Sequence, residues 1–348
     1  MASTRSAGED KRRPRGAAEG SAMNDKSGAL ACIFEDAFIV DGMRTPFVDY
    51  NGAFSLISPI ELGIKAGRAA LERAGVAGSE IGAVIAGNMA QAIISGLVEE
   101  GYPAGLITVC APTAQRRDAL AERFSVHGSA DNDTAAQLAD VVVLAVKPQL
   151  MADVCRQLYE EVDFSGKLVL SIAAGINLSR FRALLGETIN LVRIMPNTPA
   201  LVGKGMSGIY APEQVSQADR DFTAGLMGAV GKICWVAKES DINGVIAAAG
   251  SAPAYFFLLM EAMQQEAVSQ GFDEATAALL VRQAASGAAE LAEKNPDISL
   301  GTLRQNVTSK GGTTAAALQV FDERQLAQTV AEAMRAAVKR AEEMEKLF

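Results

Sequence analysis

The stretch from Ile81 to Ala90 has the residue types of a phosphate-binding turn. A short β-branched run leads to Gly87, and a helical pattern of apolar residues follows at once. The fingerprint of such turns is G-x-G-x-x-G/A, and the helix dipole then faces a pyrophosphate. Gly87 and Ala90 fill the second and third positions, and Ile85 stands at the first. This pattern predicts a dinucleotide site, although an ordinary strand–helix junction matches two positions as well.

Arginine follows the next predicted strand, Leu106–Cys110. An acidic residue after this strand would bind the ribose 2′-hydroxyl of NADH, whereas arginine suits the 2′-phosphate of NADPH. The chain has Thr113, Arg116 and Arg117 here, and no acidic residue among them. We therefore predict NADPH as the cofactor, with NADH as an alternative. Two solvated helix charges are the other interpretation of the arginines.

A third chemical feature lies near the C-terminus, between Ser309 and Thr314. The segment reads Ser-Lys-Gly-Gly-Thr-Thr and so combines hydroxyls with a Gly-Gly pair. Backbone N–H groups of such a loop, together with the hydroxyls of Ser309 and Thr314, can bind a carboxylate. The loop predicts an anion site, and a flexible link between two helices is the alternative.

Composition limits the class of protein. The 348 residues are 49% hydrophobic and carry a net charge of −9, which predicts a soluble protein of two domains that does not bind nucleic acid. The longest uncharged stretch, Val245–Met260, is too short to predict a membrane span. A single histidine, His127, argues against a metal centre. The cysteines are scattered without a C-x-x-C pair, which predicts a reducing, cytoplasmic location.

The elements that would position these residues alternate between strand and helix. The run Val141–Val146 is almost continuously apolar, as expected of a parallel strand buried on both faces. From Glu239 onward the strand patterns stop and Ala-rich helical patterns take over. We predict an α/β fold in which a doubly wound Rossmann-type parallel sheet, residues 79–238, precedes an all-α domain, residues 239–348. Further strands are predicted at Leu168–Ile172, Ile189–Ile194 and Ile233–Val236.

The first 78 residues differ from the rest. Residues 1–36 are rich in Gly, Ala, Ser and charge and predict a disordered tail. Residues 37–78 carry Ile39-Val40-Asp41, Arg44-Thr45-Pro46-Phe47 and Leu71-Glu72-Arg73-Ala74-Gly75. These motifs resemble the start of a thiolase (acetyl-CoA acetyltransferase), and the likeness ends at about residue 92. Thiolase chemistry requires a histidine further along the chain, and none follows His127.

From about Asn88 to the C-terminus the chain resembles pyrroline-5-carboxylate reductase. The likeness spans about three quarters of the chain and rests on motifs that follow successive predicted strands and helices. Those motifs are Gly87-Asn88-Met89-Ala90, Ala145-Val146-Lys147-Pro148, Ser171-Ile172-Ala173-Ala174-Gly175, Met195-Pro196-Asn197-Thr198-Pro199, Gly250-Ser251-Ala252-Pro253-Ala254-Tyr255 and Thr308-Ser309-Lys310-Gly311-Gly312-Thr313-Thr314.

This resemblance implies hydride transfer from NADPH to 1-pyrroline-5-carboxylate, which gives L-proline in proline biosynthesis. It implies a homodimer or a ring of dimers, with the Ser309–Thr314 loop holding the substrate's carboxylate at an interface between subunits. Ser309 and Thr314 are the expected catalytic hydroxyls, and Ser309, Gly311, Gly312, Thr313 and Thr314 the expected substrate contacts. The expected cofactor contacts are Gly87, Asn88, Met89, Thr113, Arg116, Arg117, Asn132, Ala145, Val146, Lys147, Pro148, Ala174, Gly175, Asn197 and Asn306.

Two other interpretations are open. The chain resembles a thiolase start joined to a reductase within their shared Gly-Asn segment, as a natural fusion or by gene assembly. Because the first strand of the sheet would then be borrowed, the protein would be a catalytically dead NADP-binding chimera. As a reductase, it is expected to bind NADPH weakly and to have low activity, because Ile85 replaces the first glycine of the fingerprint. The second alternative is another NADP-dependent oxidoreductase of the same architecture.

Overall fold

The computed structural model describes residues 81–83, 88–111 and 113–348. The predicted tail (1–36), the thiolase-like fragment (37–78), Ile85 and Gly87 lie outside these residues. The described chain begins as a sheet with helices on both faces and continues, from Asp241 onward, as helices alone. The predicted fold class is confirmed.

The described residues contain eight strands, in a three-stranded and a five-stranded sheet that lie side by side. Strands β1, β2 and β3 pair in parallel, as do β4, β5 and β6. Because β1 also contacts β4, the spatial order is 3-2-1-4-5-6-7-8, and the order reverses between β1 and β4. Ligands of open α/β sheets bind at such a reversal, outside the carboxyl ends of the strands. The strands are β1 (Ile81–Ala83), β2 (Ile107–Cys110), β3 (His127–Ser129), β4 (Val141–Leu144), β5 (Leu168–Ser171), β6 (Leu191–Met195), β7 (Gly205–Tyr210) and β8 (Gly231–Trp235).

Strand β7 runs antiparallel to β6 and was not predicted from the sequence. Its sequence, Gly-Met-Ser-Gly-Ile-Tyr, contains two glycines, which are uncommon in strands. Neighbouring segments pack so closely against the strand that both positions require a glycine. A Cβ on Gly205 would lie 2.7 Å from the carbonyl oxygen of Val230, and one on Gly208 would lie 2.6 Å from the side chain of Val245. Close tertiary contact thus overrides the local preference.

Two hydrophobic cores lie on opposite faces of the sheet. Val141 and Val143 point into one core, and Val142 and Leu144 into the other, because side chains alternate along a strand. This two-sided burial explains the continuous apolar runs of the central strands. The helices that cover the faces are α1 (Asn88–Glu99), α2 (Ala114–Phe124), α3 (Asn132–Leu138), α4 (Pro148–Glu161), α5 (Leu178–Leu185) and α6 (Gln217–Gly228).

The helical part leaves much apolar surface uncovered in this single chain. Helix α8 buries none of its residues, and Phe256 and Leu258 are more than 60% exposed. The predicted four-residue apolar repeat of Leu326 and Val330 lies on α12, where only Ala341 is buried. The elements are α7 (Asp241–Val245), a π-helical turn (Ile246–Gly250), α8 (Ala252–Ser269), α9 (Glu274–Lys294), α10 (Leu300–Asn306), α11 (Thr313–Glu323) and α12 (Leu326–Leu347).

One helical stretch is longer than the sequence pattern indicated. Asp241–Ser269 forms 29 consecutive helical residues and includes the uncharged run from Val245 to Met260. By length and composition alone, this stretch could cross a membrane. Only 17% of its most apolar window is buried within the chain, so its apolar face needs a covering partner of some kind.

Candidate dinucleotide and substrate site

The carboxyl ends of the parallel strands bring the predicted cofactor residues to one edge of the sheet. Loops leave β2 at Cys110, β4 at Leu144, β5 at Ser171 and β6 at Met195, all at this edge. The loops after β2, β4, β5 and β6 contain the motifs that the sequence singled out. A ligand is expected to bind at this edge, where the strand order reverses, and we call this place the crevice.

The phosphate turn is described from Asn88 onward. Asn88 is the first residue of α1, and Met89 packs in part against the core. Ala90 has no exposed surface, as the third fingerprint position requires for close contact between helix and strand. Gly87 and Ile85 lie outside the described residues, so their predicted roles at the pyrophosphate stay predictions.

The two arginines after β2 differ in their surroundings. Arg117 lies against β3, where a Cβ on Gly128 would be 3.2 Å from the Arg117 Cγ. The Nε of Arg117 donates to Asp118 at 2.8 Å, and only 17% of the Arg117 side chain is exposed. Arg116 is exposed on the first turn of α2, next to the N-cap residue Thr113. Arg116 is thus the more exposed of the two, and its contact with a cofactor phosphate stays a prediction.

A neutral thiol stands at the end of β2, where an NADH-binding enzyme would place a carboxylate. Burial raises the pKa of the Cys110 thiol to about 11, and the nearby charge of Asp131 adds to the rise. Asp131 is an acidic residue near this position that the sequence pattern did not single out. Its carboxylate accepts hydrogen bonds from the Asp133 N–H and the Thr134 hydroxyl and so caps α3. Asn132 begins that helix, beside the same end of the crevice.

The loop after β4 carries four predicted contacts. Ala145 is buried, and Val146 packs in part against the second core. Lys147 is exposed and precedes Pro148, the first residue of α4, whose preset φ suits that position. The exposed lysine is the one charged group of this loop, at the edge of the crevice.

The loop after β5 is covered by the C-terminal helix. Gly175 has a φ of +73°, and a Cβ there would lie 2.7 Å from the Cβ of Met344 on α12. Ala174 contacts the small core around Ile242 and Ile246. Close packing against α12 therefore explains why this position holds a glycine. The contact of Gly175 with the cofactor stays a prediction.

Asn197, after β6, is buried and bonded within the protein. Its Nδ2 donates to the Ala249 carbonyl at 3.0 Å, and its Oδ1 accepts from the Met206 N–H at 2.8 Å. This amide joins the β6–β7 turn to the π-helical turn before α8. Its arrangement positions the loop, and contact with a cofactor stays a prediction.

The predicted carboxylate loop connects α10 to α11. Asn306 ends α10, Gly312 is the N-cap of α11, and Thr313 and Thr314 form the first turn of α11. Gly311 has a φ of +73°, and a Cβ on Gly312 would collide with the Ser309 hydroxyl. The glycines thus allow a tight turn, which directs the first N–H groups of α11 outward, with the positive end of the helix dipole.

This loop is open to solvent in the single chain. Asn306, Ser309, Gly311 and Thr313 are exposed, whereas Thr314 is half-buried. The structure thus forms two half-sites, the crevice and the loop. Within the described residues, no group of three or more His, Cys, Asp or Glu side chains could hold a metal ion.

Sequence reasoning missed one charged residue at the junction of the two parts. Arg193 lies in β6, is only 2% exposed, and pairs with Glu239 and Glu345 from the helical part. A single arginine within the apolar run Leu191–Met195 was the signal available in the sequence.

Three family models match the chain. Residues 239–344 match pyrroline-5-carboxylate reductase dimerisation, and residues 80–175 match NADP oxidoreductase, coenzyme F420-dependent. The N-terminal domain of thiolase matches residues 37–109, of which most lie outside the described residues. The match to the dimerisation family begins at the predicted domain boundary.

Several characterised proteins and solved structures are similar to the chain. The pyrroline-5-carboxylate reductase of Vibrio alginolyticus is 61% identical over 76% of this chain and 96% of its own length. That of Pasteurella multocida is 52% identical over 75% of this chain and 96% of its own length. The Coxiella burnetii reductase structure is 39% identical with a TM-score of 0.72, over 76% of this chain and 98% of that one.

A structure of the Plasmodium falciparum pyrroline carboxylate reductase has NADP bound. It is 26% identical with a TM-score of 0.69, over 77% of this chain and all of that one. These matches cover about three quarters of the chain and nearly the whole length of each relative. On this evidence, the chain belongs to the pyrroline-5-carboxylate reductase family.

Proposed function

We propose that the protein reduces 1-pyrroline-5-carboxylate to L-proline, with NADPH as the hydride donor. The observation that carries this proposal is the pair of half-sites. The crevice offers an exposed arginine after β2 for the adenosine end, and the helical part offers a glycine-rich helix N-terminus for a carboxylate. Its relatives bear the name of this activity.

NADPH supplies a hydride to the C=N carbon, and a proton on the nitrogen completes the product amine. The protein's part is to orient the substrate. The N–H groups of the first turn of α11 and the hydroxyls of Ser309 and Thr314 hold its carboxylate. A hydroxyl such as that of Thr314, or water, delivers any proton that the imine does not already carry. Asn306, at the end of α10, lies beside the nicotinamide in this arrangement.

The complete site is formed between two copies of the chain. The exposed apolar face of α8 needs a partner, and a second helical part covers it in a homodimer. The same association brings the exposed Ser309–Thr314 loop of one copy to the crevice of the other. The match to a dimerisation family supports this arrangement. Dimers can assemble further into a ring, and the protein acts in the cytoplasm, away from membranes and nucleic acid.

The domain division follows from the same reasoning. Residues 79–238 form the NADP-binding domain and residues 239–348 the helical domain. Residues 37–78 are a thiolase-like fragment, preceded by a tail of 36 residues, and neither supplies a group to the proposed site. The match of residues 37–109 to a thiolase domain supports this origin.

Formation of proline by the purified protein, followed by chromatography with NADPH as the reductant, tests the proposal. If the protein consumes NADPH with other imines or ketones but forms no proline, it is another oxidoreductase of this architecture. Binding of NADPH without turnover identifies the catalytically dead chimera.

We expect Thr314→Ala to lower kcat/KM for pyrroline-5-carboxylate about ten-fold, because one hydrogen bond to a charged group is lost, about 1.5 kcal/mol. NADPH affinity should stay within two-fold of wild type. Steady-state kinetics and cofactor titration measure the two effects. Thr188→Ala is the control, since Thr188 is exposed on the loop before β6, at the opposite edge of the sheet. A parallel loss of NADPH affinity in Thr314→Ala would place the loop in the cofactor site instead.

We expect Ile85→Gly to tighten NADPH binding about ten-fold and to raise kcat/KM. Isoleucine is stiff at χ1 and disfavours positive φ by about 1–2 kcal/mol, and its side chain would crowd the pyrophosphate. Ile85 lies outside the described residues, so this expectation rests on the fingerprint alone. Fluorescence titration with NADPH measures the affinity, with the melting temperature as a check on folding. Unchanged or weaker binding would show that this turn does not need a glycine.

A further inference from the structure

A cluster of one buried arginine and two partly exposed glutamates joins the two parts of the molecule. The Nη1 of Arg193 lies 2.6 Å from the Oε1 of Glu239 and 3.4 Å from the Oε1 of Glu345. The Arg193 side chain is 3% exposed, and those of the two glutamates are 27% and 19% exposed. One positive charge inside the sheet is thus paired with two carboxylates, one from the turn before α7 and one from α12, which lie 46 and 152 residues away.

The cluster lies next to two of the loops that form the crevice, those after β5 and β6. Arg193 lies four residues before Asn197, on the strand that leads into the β6–β7 turn. The same Oε1 of Glu239 accepts a hydrogen bond from the Leu178 N–H, at the start of α5. Glu345 follows Met344, which covers Gly175 in the β5–α5 loop. Arg193 therefore links three segments that are distant in sequence: the turn before α7 and α12 directly, and the start of α5 through Glu239.

Stability alone gives little reason for such a cluster. Burying a guanidinium in a sheet costs desolvation energy, and apolar side chains of similar volume are often as stabilising as a buried ion pair. Unlike apolar contacts, the charged pairs require a defined geometry. The neighbouring core of Ile242, Ile246 and Ala341 is small and could tolerate alternative packing. The directional contacts then select one arrangement of the two parts.

We propose that Arg193, Glu239 and Glu345 are positioning residues, which hold the sheet at one angle to the helical part. This inference rests on the proposed function, in which the helical parts of two copies form one unit. Each cluster then determines where a crevice lies relative to the partner's Ser309–Thr314 loop. Hydride transfer is sensitive to this distance, whereas all of the expected NADPH contacts except Asn306 lie in the sheet part.

Glu345→Gln tests the proposal while keeping the size of the side chain. In the full-length protein we expect kcat/KM for the pyrroline to fall at least ten-fold, with NADPH affinity within two-fold of wild type. Amide hydrogen exchange at Leu178 and in residues 172–177 should accelerate at least ten-fold. Arg193→Lys keeps the charge but has no planar fork to contact both carboxylates, so it should show the same pattern. The double variant should lose little more kcat/KM than either single variant, because both changes break the same cluster.

Glu293→Gln is the matched control. Glu293 also bridges the two parts, through Lys204 and Lys232 at 3.0 Å each. Hydrogen bonds and charge from Lys232 and Lys204 lower the pKa of this carboxyl. Because these lysines are about 70% exposed, the bridge is screened, and kinetics and exchange should stay within two-fold of wild type.

The outcomes separate this proposal from the proposed function. A wild-type protein that forms no proline would refute the function, while the exchange measurement would still test the cluster. Unchanged exchange at residues 172–178 in Glu345→Gln would overturn the positioning role. So would unchanged kcat/KM in an active enzyme, or an equal loss of NADPH affinity and activity. A lower melting temperature alone, with normal kinetics, would identify a purely structural cluster.

Discussion

Replacing Arg116 and Arg117 together with alanine is expected to weaken NADPH binding about ten- to hundred-fold, and to leave NADH binding within two-fold. Only NADPH carries the 2′-phosphate, and charge-assisted contacts to it are worth about 1.5–3 kcal/mol. Arg116→Ala alone should produce most of this loss. Arg117 is half-buried against β3, whereas Arg116 is exposed, so Arg116 is the more accessible of the two to a ligand. Fluorescence titration with each cofactor measures the effect.

Arg123→Ala provides the control for this prediction. Arg123 lies in the last turn of the same helix, with its guanidinium 5.0 Å from the ring of Phe124, at the end away from the crevice. Its removal takes away one positive charge from α2 without touching the phosphate position, so both cofactors should bind as in wild type. Equal losses for NADPH and NADH in the double variant would refute the assignment of the arginines.

Gly175→Ala is expected to lower the free energy of unfolding by about 2–5 kcal/mol. Two costs combine. A φ of +73° disfavours an L-residue by about 1–2 kcal/mol. The added methyl would also lie 2.7 Å from the Cβ of Met344, and relieving such overpacking typically costs about 1–3 kcal/mol. Denaturant unfolding of the full-length protein measures the change.

Gly166→Ala separates the two costs. Gly166 has a φ of +78°, and nothing lies within 4 Å of the position of an added Cβ. This variant should therefore lose only the backbone contribution, about 1–2 kcal/mol. If Gly175→Ala costs no more than Gly166→Ala, the C-terminal helix shifts freely and does not hold the β5–α5 loop.

Local patterns were sufficient to predict most of the architecture. The run Val141–Val146 identified a strand buried on both faces, and the repeat from Leu326 identified the last helix. Strand β7 was missed because its two glycines argue against a strand, and only contacts with Val230 and Val245 require them. Local propensity is a weak guide wherever packing between distant segments decides the backbone.

The sequence predicted which loops form the candidate site, but not which groups their buried side chains contact. Motifs after β4, β5 and β6 had to meet at one edge, because parallel strands place their carboxyl ends together. Sequence motifs predicted that Gly175 and Asn197 contact the cofactor. In the structure, Gly175 makes room for Met344, and Asn197 bonds Ala249 and Met206. Spacing in the sequence does not reveal which group a buried side chain contacts.

The sequence by itself determined most of the strands and helices, the positions of the site loops and the family resemblance, because these depend on residue type and short-range periodicity. Only the tertiary structure distinguished Arg116 from Arg117 and brought Glu239 and Glu345 to Arg193. Partners that lie 46 and 152 residues from the arginine leave no periodic trace in the chain. Their meeting is decided by how the helical part packs against the sheet.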